Sequence, residues 1–261
     1  MDHTERERIR IVYHPAYLTD YTTASCEMPS RLTSIMGTLA ERFTVVRPDP
    51  CTDEDILLCH SEGILISEKR DRERFEVARL AVGGAIRTVE LALEGYVAFG
   101  AVRPPGHHAN PDHNWGFCFF NNTSIAIRKM KRLGRIRTAA ILDIDLHFGD
   151  GTDTIFKDDP DVRVINIQSS NPGDFIDETA AALRHLGPRD LIVISAGFDQ
   201  YEKDWGGNLS TEDYREIGAL SARYAAEHTG GRLCAVLEGG YYIPDLGANA
   251  HALIEGMCSR E

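Results

Sequence analysis

Short apolar runs rich in β-branched residues alternate along this chain with longer stretches whose apolar positions recur about every 3.6 residues. The short runs predict strands over residues 9–13, 43–47, 97–102, 138–143, 162–167, 191–195 and 233–237. Between them, Pro29 opens a predicted helix that runs to Arg42, and a second keeps its period from Phe75 to Leu93 until Gly95 stops it. Ser210 followed by Asp213 has the spacing of a capping box ahead of a helix reaching His228. Strands alternating with helices predict an α/β fold built on a mostly parallel twisted sheet flanked by helices. A chain of 261 residues fits one large α/β domain or two small ones. No Pro/Gly/Ser-rich linker, charge block or repeat divides it, so a single domain over residues 1–261 is expected.

Composition narrows the class. Hydrophobic residues at 43% and charged residues at 26% are ordinary for a globular domain and exclude a disordered or fibrous chain. Acidic residues outnumber basic ones 40 to 28, a formal charge of −12, which leaves no electrostatic footprint for nucleic acid and favours a cationic ligand. The six cysteines form no C-x-x-C pair and sit mostly in apolar segments, as reduced thiols of an intracellular protein do. No uncharged apolar run approaches the ~18 residues of a membrane span, and the amino terminus is charged through Arg10. A cytoplasmic protein with no membrane partner is expected.

Candidate chemistry sits just after predicted strands, where the loops of a parallel sheet converge and ligand sites form. Arg103-Pro104-Pro105-Gly106-His107-His108-Ala109 places two adjacent imidazoles on a constrained turn, a pair able to move protons near neutral pH. Taken alone, such a pair reads first as a surface loop. Asp143-Ile144-Asp145-Leu146-His147-Phe148-Gly149-Asp150 sets three acids around one histidine. Alternation along extended chain lets Asp143, Asp145 and His147 share a face, so Asp145 and His147 can offer an oxygen and a nitrogen to a cation such as Zn²⁺. The remaining acids are available to orient histidines. The same stretch also reads as a polar turn of solvated acids. Asp199, at the end of Ser195-Ala196-Gly197-Phe198-Asp199, would complete three protein ligands and leave a fourth position for water, although a turn or helix-cap aspartate is the commoner reading of it alone. Glu238-Gly239-Gly240-Tyr241-Tyr242 couples two permissive glycines to a tyrosine hydroxyl that could stabilise an oxyanion; Tyr242 reads as packing.

These motifs together resemble the histone deacetylase family, including bacterial and archaeal relatives acting on acetylated polyamines and other small amides. The matching stretches are RPPGHHA (residues 103–109), GFCFFNN (116–122), ILDIDLHFGDGT (141–152), ISAGFD (194–199) and LEGGY (237–241), in the family's order, with weaker similarity at residues 13–15 and 29–32. The resemblance implies an arginase/deacetylase-like fold and one zinc ion per chain, held by Asp145, His147 and Asp199. It implies His107 and His108 beside the zinc ion's water, with Asp143 behind His107 and Asp150 behind His108. His108 is then the general base and acid and His107 its electrostatic partner. Tyr241 would donate to the acyl carbonyl, while Gly116 and Phe117 match the wall of an acyl-lysine tunnel. A structural potassium ion is also implied, at Asp143 and main-chain oxygens of Asp145 and His147, although Asn166 stands where the family often has Ser. The implied activity is hydrolysis of an acetyl or other short acyl group from a small acylated amine or acetyl-lysine.

Departures from the family pattern lie around that core. Phe148 stands where many members have a second His, and the regions 66–75 and 167–191 are short where an acidic substrate-gripping loop and a second tunnel wall are expected. An open site is therefore expected, unless a neighbouring copy in a homo-oligomer rebuilds the wall. Two other readings compete: a two-manganese ureohydrolase, which needs further bridging acids where Gln200 and Tyr201 follow Asp199, and a non-catalytic binder of acylated amines, which would tolerate loss of a ligand, histidine or tyrosine that this chain retains.

Overall fold

The computed structural model describes residues 6–21 and 23–259. Seven strands, β1 (Ile9–Val12), β2 (Thr44–Val46), β3 (Val97–Gly100), β4 (Ala139–Asp143), β5 (Val162–Asn166), β6 (Ile192–Ala196) and β7 (Leu233–Leu237), form one sheet in the order β2-β1-β3-β7-β6-β4-β5. Every pairing is parallel, as the alternation of short and long segments predicts. Sequences such as Ala-Ala-Ile-Leu-Asp in β4 and Leu-Cys-Ala-Val-Leu in β7 are buried at every position, the signature of strands covered on both faces. The edge strand β2 instead exposes Thr44 and Val45.

The helices, in chain order, are α1 (Ser30–Leu39), α2 (Asp53–Ile56), α3 (Glu62–Glu68), α4 (Arg72–Leu93), α5 (Asn122–Arg132), α6 (Asp150–Phe156), α7 (Pro172–Leu186), α8 (Thr211–His228) and α9 (Ile243–Met257). They pack in two groups flanking the sheet, with α9 between α1 and α8 in one and α4 against α5 in the other. The capping box expected at Ser210 is present, each partner bonded to the other's backbone N–H. Helix α4 begins at Arg72 rather than Phe75, because the Asp71 carboxylate accepts from Arg74 N–H and caps a first turn that lies outside the apolar period. Helix α1 ends at Leu39, short of Arg42. Among the described residues no helix is long and apolar enough to cross a membrane.

Strand order has one consequence for chemistry. The four motif-bearing loops follow β3, β4, β6 and β7, and these are the four contiguous central strands β3-β7-β6-β4. Segments more than 130 positions apart, as Gly106 and Glu238 are at 132, thus open side by side on one edge of the sheet, the carboxyl edge where ligands bind.

Candidate active site

Three side chains meet beyond β4 and β6. His147 Nδ1 lies 3.2 Å from Asp145 Oδ1 and 3.1 Å from Asp199 Oδ2, and both aspartates are fully buried. Glycines make the room: a Cβ on Gly197 would stand 2.3 Å from Asp145 Oδ2, and one on Gly239 would stand 2.6 Å from that oxygen and 2.8 Å from Asp199 Oδ2. Burial, reinforced by repulsion from Asp145, pushes the Asp199 carboxyl up to about 7. Hydrogen bonds to the two aspartates raise His147 to about 10. The ligand atoms of Asp145, His147 and Asp199 lie within 4.8 Å of one another, and this set of two carboxylate oxygens and one imidazole nitrogen suits zinc. The residues therefore fit the ion that the sequence implies.

The histidine pair stands beside this group. His107 Nδ1 bonds Asp143 Oδ2 at 3.0 Å, His108 Nδ1 bonds Asp150 Oδ1 at 2.6 Å, and the two rings are 4.0 Å apart. Both are 3% exposed, so the surface-loop reading of the pair does not hold. Burial disfavours a charge on His107, yet Asp145 and Asp143 together outweigh it and hold its pKa well above the ordinary histidine value. His108 moves the other way: burial and then the charge of His107 lower it to about 4, against the pull of Asp150. One imidazole is thereby kept cationic and its neighbour neutral, a pair of separated protonation states of the kind acid–base chemistry uses. Asp150 opens α6 rather than lying in a free turn, and its second oxygen accepts from Asn110 Nδ2 at 2.7 Å and Trp115 Nε1 at 3.0 Å.

Backbone at Gly116 and Phe117 takes positive φ, 58° and 65°, which turns the Phe117 ring toward the pocket. A Cβ at Gly116 would come within 2.4 Å of His108 Cδ2, so glycine lets this backbone lie against the imidazole. The GFCFFNN segment is anchored by its asparagines: Asn122 Nδ2 donates to Pro104 O at 3.0 Å and Asn121 Nδ2 to Ala109 O at 3.3 Å. Tyr241 lies opposite, its ring 6.1 Å from Phe117, and burial pushes its hydroxyl up so that it stays protonated and able to donate. Of the two glycines before it, Gly240 supplies the positive φ, 117°, and Gly239 the close approach. Asn166, at the end of β5, bonds Gly149 N–H through Oδ1 at 2.8 Å.

Several structural partners escaped the motif reading. Glu238, quoted only as part of LEGGY, is fully buried and accepts from Gly106 N–H at 2.6 Å and His107 N–H at 3.1 Å, tying the β3 loop to β7. Arg103 is fully buried, its Nε 2.7 Å from Glu27 Oε1 and its Nη2 donating to Glu27 O. Arg31 reaches Gly240 O and Glu238 O from α1. None of these had a local signal, since each partner lies far off in sequence. The two tryptophans were also passed over, and both line the pocket. Trp115 lies over His108 with ring centres 4.0 Å apart, and Trp205 stacks on Tyr241 at 4.2 Å. The pocket, about 260 Å³, is lined by these rings with His107, His147 and Asp145 at its floor. Phe148 projects from the same loop and is 45% exposed.

A parallel sheet flanked by helices and carrying this cluster on its carboxyl edge has the architecture of an α/β enzyme with its site at the strand ends. The chain belongs to the histone deacetylase family, whose domain description, "Histone deacetylase domain", matches residues 68–179 and 174–257. Among curated proteins it is 31% identical to a "Probable deacetylase" of Methanothermobacter thermautotrophicus, over 96% of this chain and 91% of that one. That alignment runs to 308 positions, more than the chain's 261 residues, so the relative carries insertions. Identity is 30% to a "Histone deacetylase-like amidohydrolase" of Pseudomonas aeruginosa, over 90% of this chain and 77% of that one. The fold matches the crystal structure of an acetylpolyamine aminohydrolase from Burkholderia pseudomallei with a TM-score of 0.85 at 22% identity, covering 95% of this chain and 98% of the other.

Proposed function

We propose that this chain is a zinc-dependent amidohydrolase that removes an acetyl or other short acyl group from a small acylated amine. The observation that carries the reading is the meeting of Asp145, His147 and Asp199 next to two carboxylate-oriented histidines. Asp145, His147 and Asp199 would hold the ion, which when bound polarises an amide carbonyl and lowers the pKa of water at its open position. His108, neutral at pH 7, would take the proton of an attacking water through Nε2, because its Nδ1 is committed to Asp150. The same nitrogen then returns the proton to the departing amine. His107, kept cationic, stabilises negative charge developing on the carbonyl oxygen, and the Tyr241 hydroxyl donates to that oxygen. Family membership, a relative named a histone deacetylase-like amidohydrolase and a structure named an acetylpolyamine aminohydrolase support the substrate class. The ureohydrolase reading finds no support at Asp199, where Tyr201 instead bonds Asp245 through its hydroxyl at 2.8 Å. In the second group of possible donors, His107, Cys118 and Glu238, His107 Nδ1 bonds Asp143 and Glu238 Oε2 serves two backbone N–H groups.

The test is metal analysis together with turnover of acetylated amines by the zinc-loaded protein. One zinc equivalent per chain and release of acetate are expected; two equivalents, or no hydrolysis of any acetylated amine, would overturn the reading. Tyr241→Phe removes only the donor. It is expected to lower kcat by about 10²–10³-fold with KM changed far less, because the hydroxyl is needed most in the transition state. Equal losses in binding and turnover would assign Tyr241 to substrate holding instead.

A further inference from the structure

The chain has two tryptophans, and both stand at the mouth of this one pocket, each about half exposed. They are links in a belt of rings: Trp115 on His108 (4.0 Å), His108 edge-on to His147 (5.9 Å), His147 to Trp205 (6.0 Å), Trp205 on Tyr241 (4.2 Å), and Tyr241 to Phe117 (6.1 Å). Phe117 follows Trp115 by two residues, so both ends of the chain of rings lie on one loop. Both tryptophans are anchored, Trp115 through its indole and Trp205 through its backbone N–H. Trp115 Nε1 donates to Asp150 Oδ2, and the Asp204 carboxylate accepts from Trp205 N–H at 2.8 Å while also accepting from Tyr241 N–H at 2.6 Å and Tyr242 N–H at 2.7 Å.

Resting on the amidohydrolase reading, we infer that Trp115 and Trp205 form a clamp for the amine side of the substrate and set its specificity, where longer rim loops would otherwise do so. The class of arm it takes is an unbranched alkylamine chain. The belt has room for an acyl group and a few methylenes but little more, at about 260 Å³. Its mouth offers indole and phenyl surface, which rewards methylenes, and an ammonium at the end of the chain can lie over an indole face in a strongly acidic protein. The donor of Trp115 is already committed to Asp150, so that wall has no hydrogen bond to give a peptide backbone.

Because the chain holds no other indole, tryptophan emission reports on the clamp directly and needs no turnover. The zinc-loaded protein and its Trp115→Phe and Trp205→Phe variants, each with a single indole, are titrated with a monoacetylated diamine. Emission is expected to change in both variants along the same saturation curve. In parallel, Trp205→Ala should raise KM for that amine about tenfold with kcat moved less than about threefold, and Trp205→Phe should restore most of the loss. Hydrolysis with unchanged emission and with KM of Trp205→Ala within twofold of the parent would overturn the clamp and leave the amidohydrolase standing. Saturable emission changes without any hydrolysis would support the clamp and overturn the amidohydrolase.

Discussion

Asp199→Ala is expected to abolish turnover and to weaken zinc binding by more than about a hundredfold, the upper end of what loss of an outer-shell partner costs, because a direct ligand is removed. The same change should make the metal-free fold less sensitive to pH. In the folded chain the Asp199 carboxyl is pushed up to about 7 by burial beside Asp145, whereas unfolded it ionises near the ordinary 3.8. A raised carboxyl favours the folded state at low pH and ceases to do so as pH climbs from about 4 to about 7. Metal-stripped parent should therefore melt progressively lower across that window, and Asp199→Ala should lose that part of the slope. Zinc retained at one equivalent in the variant, measured by metal analysis after dialysis, would remove Asp199 from the ligand set.

His108→Ala should lower kcat by about 10²–10⁴-fold, the usual contribution of a general acid–base group, while zinc stays bound. His108 bonds Asp150 and meets His147 only ring to ring, with centres 5.9 Å apart, so its loss leaves the hydrogen bonds among Asp145, His147 and Asp199 in place. Since burial and His107 hold the His108 pKa down to about 4, the parent enzyme should keep its base form well below the pH at which an ordinary histidine is lost. Turnover within about tenfold of the parent, or departure of the metal, would show that the proton moves elsewhere.

Much of this was legible before any coordinates. Each of the seven strands coincides with a short apolar run, because strands buried on both faces must be apolar throughout and helices in this chain keep a longer period. The pairing of His107 with Asp143 and His108 with Asp150 was legible only through the resemblance to the histone deacetylase family, and the side chains do meet in that way. What stayed hidden was set by sheet order and by contacts across it. No local pattern says that β3 lies beside β7 and β7 beside β6, yet that order brings Glu238 under the His107 backbone. Asp150 read as part of a turn because its helix is only seven residues long and carries no apolar period. The short regions 66–75 and 167–191 pointed to an open rim; Trp205, beyond Asp199 in a loop without a motif, lines the pocket.

The Asp204 carboxylate joins two properties that an enzyme could otherwise vary separately. One of its oxygens holds the backbone of Trp205 and the other that of Tyr241 and Tyr242. A shift that widens the mouth for a bulkier amine therefore also moves Tyr241, whose hydroxyl is the donor proposed for the carbonyl. Breadth of substrate range and speed of hydrolysis become a single compromise in this protein, and a lineage that changed the one would carry the other with it.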